Sequence, residues 1–226
     1  NPVPRSDHAA SQVRMMVRTK NAGAFAGLLV VALAACNTPP EQGLARGEAL
    51  YDTCAPCHGP AGAGNQELGA PAIAGLPQWY VEHSLEKYEN GWRGAHPLDT
   101  VGIKMRSMAN ALDLEGDRAS VSEYVAQMAR VSPPAVLAVG DAQAGQQTYQ
   151  TCLACHGPDG QGVREVNSPP LTGQHDWYLL SQLQKFKKGW RGTHPEDIWG
   201  ATMRPNAMML DDAAMENVVA YIQTLQ

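Results

Sequence analysis

The chain has 226 residues, 44% of them apolar, which suits one large globular domain or two small ones. Its formal net charge is −5, but the first 35 residues hold four basic side chains against Asp7, and the remainder carries 13 basic against 21 acidic groups, a net of −8. A body this acidic lacks the basic stripe that nucleic acid requires, so a protein or a small redox molecule is the expected partner.

Residues 1–14 show no periodicity and receive no role. Met15 or Met16 reads as a translation start, followed by Arg18, Lys20 and an apolar stretch from Ala22 to Ala35. That stretch is 14 residues long, short of the roughly 20 that span a bilayer as a helix, and has the layout of a secretory signal. Leu33-Ala34-Ala35-Cys36 resembles a bacterial lipobox, in which the cysteine is acylated and becomes the first mature residue. The expectation is a lipoprotein-type signal over 15–36 and a tether over 37–42, with the protein held on the periplasmic side of a bacterial membrane. An ordinary signal peptide beside a chance cysteine, or an uncleaved anchor, is the alternative.

The five cysteines divide into Cys36 and two pairs at i, i+3 spacing, leaving none for a disulfide. Each pair belongs to a Cys-x-x-Cys-His pentapeptide: Cys54-Ala55-Pro56-Cys57-His58 and Cys152-Leu153-Ala154-Cys155-His156. Two thiols one helical turn apart can bond both vinyl groups of one heme, and the adjacent imidazole reaches the iron from the proximal side. A redox dithiol or half a zinc site would explain one such motif. Two, at equivalent places after an export signal, point to two covalently bound hemes c.

The places are equivalent because the chain repeats itself at an offset of 98 residues. Tyr51 falls on Tyr149, Pro71 on Pro169, and Trp79-Tyr80 on Trp177-Tyr178. Gly91-Trp92-Arg93-Gly94 falls on Gly189-Trp190-Arg191-Gly192, His96-Pro97 on His194-Pro195, and Met105-Arg106 on Met203-Arg204. Beyond Leu112 and Leu210 the match suggests an offset of about 94, Val125 on Val219. The prolines of 132–140 favour an extended connector, giving domains over 43–131 and 141–226. Units of this size build a small core, and a covalent heme supplies the missing apolar interior.

Helical periodicity recurs at matched positions. Gly47, Tyr51 and Cys54 share a face, as do Gly145, Tyr149 and Cys152. A middle helix carries Val81, Leu85 and Tyr88, or Leu179, Leu183 and Phe186, and closes at Gly91 or Gly189. A last helix carries Val121, Tyr124, Val125 and Met128, or Met215, Val218, Val219 and Ile222. No alternating run is long enough for a sheet. The expected class is all-α, with small glycines letting the first and last helices of each unit cross closely.

The sixth iron ligand has two repeat-symmetric candidates. Met105 and Met203 each lie 47 residues after the proximal histidine, and a thioether favours Fe(II). His96 and His194 are the rivals, but each sits in a Gly-rich, Pro-terminated turn that reads as surface. Met108 has Asn206 as its counterpart and fails the symmetry test. Met208 and Met209 read as packing residues, and His83 and His175 as ordinary surface or packing residues.

Two domains, each with Cys-x-x-Cys-His near its start and a methionine before its last helix, resemble the diheme class I cytochromes c of the cytochrome c4 type. The resemblance covers about Gly43 to the C-terminus. It implies two tandem class I cytochrome c domains, each wrapped around one heme, with His58/Met105 and His156/Met203 as axial ligands and the hemes near the domain interface. It also implies the carbonyls of Pro71 and Pro169 as partners of the proximal imidazoles, and Trp92, Arg93, Trp190 and Arg191 in the heme environment. The Gly-Trp-Arg-Gly-x-His-Pro segment is similar to one in cytochrome modules attached to respiratory complexes. Lys185, Lys187 and Lys188 have only Lys87 as a counterpart, and read as an exposed helix face or a docking patch.

The function so implied is single-electron transfer between respiratory-chain partners, such as a quinol-oxidising complex or a terminal oxidase. The alternatives are a subunit of a membrane oxidase or dehydrogenase complex, or a diheme enzyme such as a peroxidase or thiosulfate dehydrogenase. Those enzymes need an open or unusual iron site. Here both hemes have a candidate methionine, and no cysteine is spare.

Overall fold

The structure is a computed structural model and describes residues 42–112 and 114–225. Cys36 and the expected signal and tether up to residue 41 lie outside the described residues. Among the described residues there are ten α-helices, falling into two equivalent sets of five. The first set is α1 (Leu44–Tyr51), α2 (Ala55–His58), α3 (Gln78–Glu89), α4 (Thr100–Ala109) and α5 (Asp117–Gln127). The second is α6 (Ala142–Tyr149), α7 (Leu153–His156), α8 (Asp176–Lys187), α9 (Ile198–Met208) and α10 (Asp212–Thr224). The described residues form no strand, only the single bridges Asn65–Ala70 and Val163–Ser168, which close the loop after each Cys-x-x-Cys-His motif. The fold is all-α, as the periodicity indicates.

In each half the first and last helices cross at a glycine. A Cβ on Gly47 would fall into the carbonyl of Ser120, and one on Gly145 into the carbonyl of Asn217, so only glycine lets the backbones approach this closely. Tyr51 packs on Tyr124 with ring centroids 5.5 Å apart, and Tyr149 on Tyr221 at 5.3 Å. The Gly43 amide donates to Ser120 Oγ at 3.1 Å, and the Asp141 amide to Asn217 Oδ1 at 2.7 Å. Ser120 therefore corresponds to Asn217 and Tyr124 to Tyr221, which makes the last-helix offset 97. The expected offset of about 94 is wrong, and the first half carries one extra residue rather than about four.

The apolar faces of the middle and last helices meet in each half. Leu85, Tyr88, Ala109 and Val121 form a buried cluster on which Leu50, Val81, Leu112, Cys54 and Met105 pack. Tyr149, Leu179, Val218, Val219 and Ile222 form the second, with Cys152, Leu183 and Leu210 against it. The connector is extended but tied down. The amides of Val136 and Leu137 donate to Oδ2 of Asp176 at 2.7 and 2.6 Å, fixing the linker to the first residue of α8.

Candidate heme sites

Each Cys-x-x-Cys-His motif forms a single helical turn, α2 or α7, with the first cysteine capping it and the histidine as its last residue. The next residue, Gly59 or Gly157, turns the chain back at φ 80° or 81°. That turn is secured by a hydroxyl: Tyr51 donates to the Gly59 carbonyl and Tyr149 to the Gly157 carbonyl, each at 2.7 Å. Burial pushes the pKa of both phenols up to about 12, so they remain donors across the ordinary pH range.

The two histidines are held identically. His58 Nδ1 lies 2.9 Å from the Pro71 carbonyl, and His156 Nδ1 2.9 Å from the Pro169 carbonyl. A carbonyl can only accept, so Nδ1 carries the proton and Nε2 keeps its lone pair for a metal. Burial lowers both imidazole pKa values against the opposing pull of the carbonyls, so both rings are neutral at pH 7. The carbonyls reach this position because the neighbouring loop strand is glycine: a Cβ on Gly64 or Gly162 would lie 2.7 Å from the carbonyl carbon of Pro71 or Pro169.

In the second half these groups open onto a cavity of about 280 Å³. Cys152, Cys155 and His156 form one side and Met203 of α9 lines it too, with Leu179, Phe186, Val218 and Ile222 supplying apolar wall. Leu76, Tyr80, His83, Ser84 and Lys87, all from the first half, complete the lining. A flat apolar macrocycle with two thioether links, a neutral imidazole and a soft thioether fits this donor set. Arg191 and Lys87 also line the cavity and offer positive charge to carboxylate substituents. Burial works against ionisation of Tyr80, but Arg191 and Arg93 outweigh it and draw its pKa below the usual range, a sign of positive potential on this wall. In the first half, Cys54 and Met105 pack on one cluster.

The rival histidines are placed elsewhere. His194 is not among the lining residues; it stacks on Trp92 of the other half, centroids 5.9 Å apart and planes 22° apart. His96 stacks on Trp190 at 5.2 Å and 15°. Their Nδ1 atoms accept from the amides of Glu196 (3.3 Å) and Leu98 (3.2 Å). The turns themselves are at the surface as expected, with Ala95, Pro97, Leu98, Thr193, Pro195 and Glu196 exposed, but the two imidazole rings are half-buried against the tryptophans of the other half. Trp92 and Trp190 are thus interface residues, and Trp92 also donates to Glu196 at 3.0 Å. Arg93 donates to Tyr178 Oη at 2.6 Å and to Gln182 Oε1 at 3.0 Å, and Arg191 to the same Gln182 oxygen at 2.9 Å.

The lysine cluster is an exposed face at Lys188 and partly at Lys187, and is corrected at Lys185. Lys185 is half-buried in an ion pair with Asp99, 2.7 Å. Lys187 donates to the Leu210 carbonyl at 2.6 Å, and Lys188 sits 5.1 Å from the centre of the Trp190 ring. His83 lines the cavity, while His175 Nε2 donates to the Ala63 carbonyl at 2.8 Å across the halves. Met208 and Met209 are 50% and 71% exposed on the outer end of α9, so they do not pack the core.

Sequence reasoning missed the crossed ion pairs between the halves. Lys87 Nζ lies 2.8 Å from Asp197 Oδ1, and Lys185 Nζ 2.7 Å from Asp99 Oδ1. The signal was present, since the 98-residue offset places Lys87 on Lys185 and Asp99 on Asp197.

The model of the cytochrome c family matches residues 44–129 and again 142–226. The chain belongs to the cytochrome c family. It is a diheme class I cytochrome c of the cytochrome c4 type, with two covalently bound hemes c. Among its relatives, a thiosulfate dehydrogenase electron acceptor from Stutzerimonas stutzeri is 30% identical over 67% of this cytochrome and 70% of the relative. The crystal structure of reduced cytochrome c4 from Pseudomonas stutzeri superposes with a TM-score of 0.65 at 26% identity, covering 82% of this chain and all of that one. A thiosulfate dehydrogenase from Marichromatium purpuratum gives a TM-score of 0.65 at 33% identity over 80% of this chain. The cytochrome spans 40% of that longer protein.

Proposed function

We propose that this cytochrome is an electron carrier whose hemes are attached through Cys54 and Cys57 and through Cys152 and Cys155, with His58/Met105 and His156/Met203 as axial ligands. When bound, each heme supplies a one-electron Fe(III)/Fe(II) couple. The observation that carries the reading is the cavity lined by both His156 and Met203, while His194 is engaged by Trp92. The chain's own residues orient the imidazole through the Pro169 carbonyl, exclude water with the apolar wall, and put the cations Lys87 and Arg191 in the cavity lining. An iron with both axial positions filled exchanges electrons and does not bind substrate.

The donor we propose is a dehydrogenase acting on a sulfur oxyanion, since relatives in Stutzerimonas stutzeri and Thiomonas intermedia are named thiosulfate dehydrogenase electron acceptors. A terminal oxidase or other membrane oxidoreductase is the proposed acceptor, and acylation at Cys36 would hold the carrier on the periplasmic face. Among the described residues no helix is long and apolar enough to cross a membrane.

A redox titration followed by optical and electron paramagnetic resonance spectra tests the ligand set: two low-spin hemes with methionine-type spectra are expected, and bis-histidine spectra would overturn it. Rapid cyanide or carbon monoxide binding by the untreated protein, with turnover of peroxide or thiosulfate, would replace the carrier by an enzyme. Mass spectrometry of membrane-extracted protein decides acylation at Cys36.

A further inference from the structure

The crossed ion pairs do more than join the halves, because of where each carboxylate sits. Asp99 is the N-cap of α4, accepting from the Gly102 amide at 3.0 Å, and α4 carries Met105. Asp197 is the N-cap of α9, accepting from the Gly200 amide at 2.9 Å, and α9 carries Met203. Each aspartate uses the same oxygen, Oδ1, to cap its own helix and to bind the lysine of the opposite half. Their side chains are 4% and 1% exposed, so neither has water as a substitute partner. Glycine at the third position of each helix fixes the contact, since a Cβ on Gly102 or Gly200 would collide with that aspartate. A helix start held at one atom by two bonds has little freedom to slide, and the residues that follow inherit its position.

We infer that Lys87 and Lys185 are positioning residues for the axial methionine of the opposite half: Lys87 sets Met203 through Asp197 and α9, and Lys185 sets Met105 through Asp99 and α4. The iron–sulfur contact in each half is then tuned from the other half, and the two redox centres are coupled through protein bonds. Lys87 has a second hold on the same site, since it lines the cavity that Met203 faces. The inference rests on the proposed methionine ligation.

The test uses the full holoprotein in the ferrous state, where a methionine bound to heme iron gives a methyl resonance displaced far upfield by the ring current. Met105→His and Met203→His assign the two resonances by removing one each. Lys87→Met is expected to move the Met203 resonance and lower the reduction potential of the second heme, leaving the Met105 resonance in place. Lys185→Met is expected to do the converse. Lys87→Arg keeps the ion pair and should restore the wild-type signal. Because Lys87→Met strands a buried carboxylate, the double variant Lys87→Met/Asp197→Asn, which retains a capping oxygen, provides a second reading with the same expected pattern. The inference is overturned if each lysine moves its own half's methionine, if both resonances move together, or if potentials shift with neither resonance moving, the mark of a charge acting through space. Absence of any upfield methyl in the wild type is a different result, and removes the ligand assignment itself.

Discussion

Single residues decide the chemistry here through the partner they are given. The two proximal histidines were legible because attachment chemistry dictates their spacing from the cysteines, and the carbonyls of Pro71 and Pro169 lie where the family resemblance implies them. His96 and His194 were not legible, because stacking on tryptophans 94 and 102 residues away leaves no local trace in composition. A residue-scale prediction concerns Asp117, whose carboxylate takes a two-pronged bond from Arg46 at 2.8 and 2.9 Å and joins α5 to α1. The Arg46 hydrogen bonds hold its pKa below the usual carboxylate range against the effect of burial. A depressed folded-state pKa means that the contribution to stability is complete above the unfolded value and fades as pH falls through the folded one. Asp117→Asn should cost about 1–2 kcal/mol at pH 7, the scale of charge-assisted hydrogen bonds. In parallel denaturant titrations the gap between wild type and variant should narrow below about pH 4; a gap independent of pH would mean that the ion pair contributes nothing.

At the level of helices, periodicity located the first, middle and last helix of each half, but it missed α4 and α9, which carry Met105 and Met203, and misplaced the register of the last helix. The reason is geometric: offsets of 94 and 97 differ by three residues, close to one helical turn, so either alignment puts apolar residues on the same face. Only contacts across the helix pair choose between them, and the pairing of Tyr124 and Tyr221 with their tyrosine partners does so. The glycine that permits this crossing was legible, since Gly47 and Gly145 share a face with the heme-motif cysteines. Gly145→Ala should improve the intrinsic helix propensity of α6 by up to about 1 kcal/mol. It should nevertheless destabilise the protein by roughly 2–3 kcal/mol, because the new methyl meets the Asn217 carbonyl, a backbone atom that cannot step aside. Thermal unfolding of the holoprotein measures the balance, and a variant as stable as wild type would show that α6 and α10 can separate without loss.

The whole molecule differs from two cytochromes on a string in that one heme cavity is built by both halves. Leu76 and α3 residues Tyr80, Ser84 and Lys87 close the wall around the second site, while Gln174 exchanges two hydrogen bonds with the backbone of Ala72, at 3.1 and 2.9 Å, beside the carbonyl that orients His58. Such contacts escape a reading by domains, because each half looks self-sufficient when its own core and motif are counted. They have a measurable consequence for the redox couple. Water stabilises the more highly charged ferric site, so burial favours Fe(II) and raises the potential, whereas exposure lowers it. If residues 141–226 are produced alone and fold with heme attached, the apolar and cationic wall from α3 is missing. The potential of that heme should then fall below its value in the full chain, and cyanide should bind its ferric form faster. Addition of the separately produced first half at high concentration should reverse both changes if the crossed ion pairs and Trp–His stacks suffice to reassemble the interface. An isolated second half whose potential and cyanide kinetics equal those of the intact protein would show that the shared wall holds the halves together without tuning the iron.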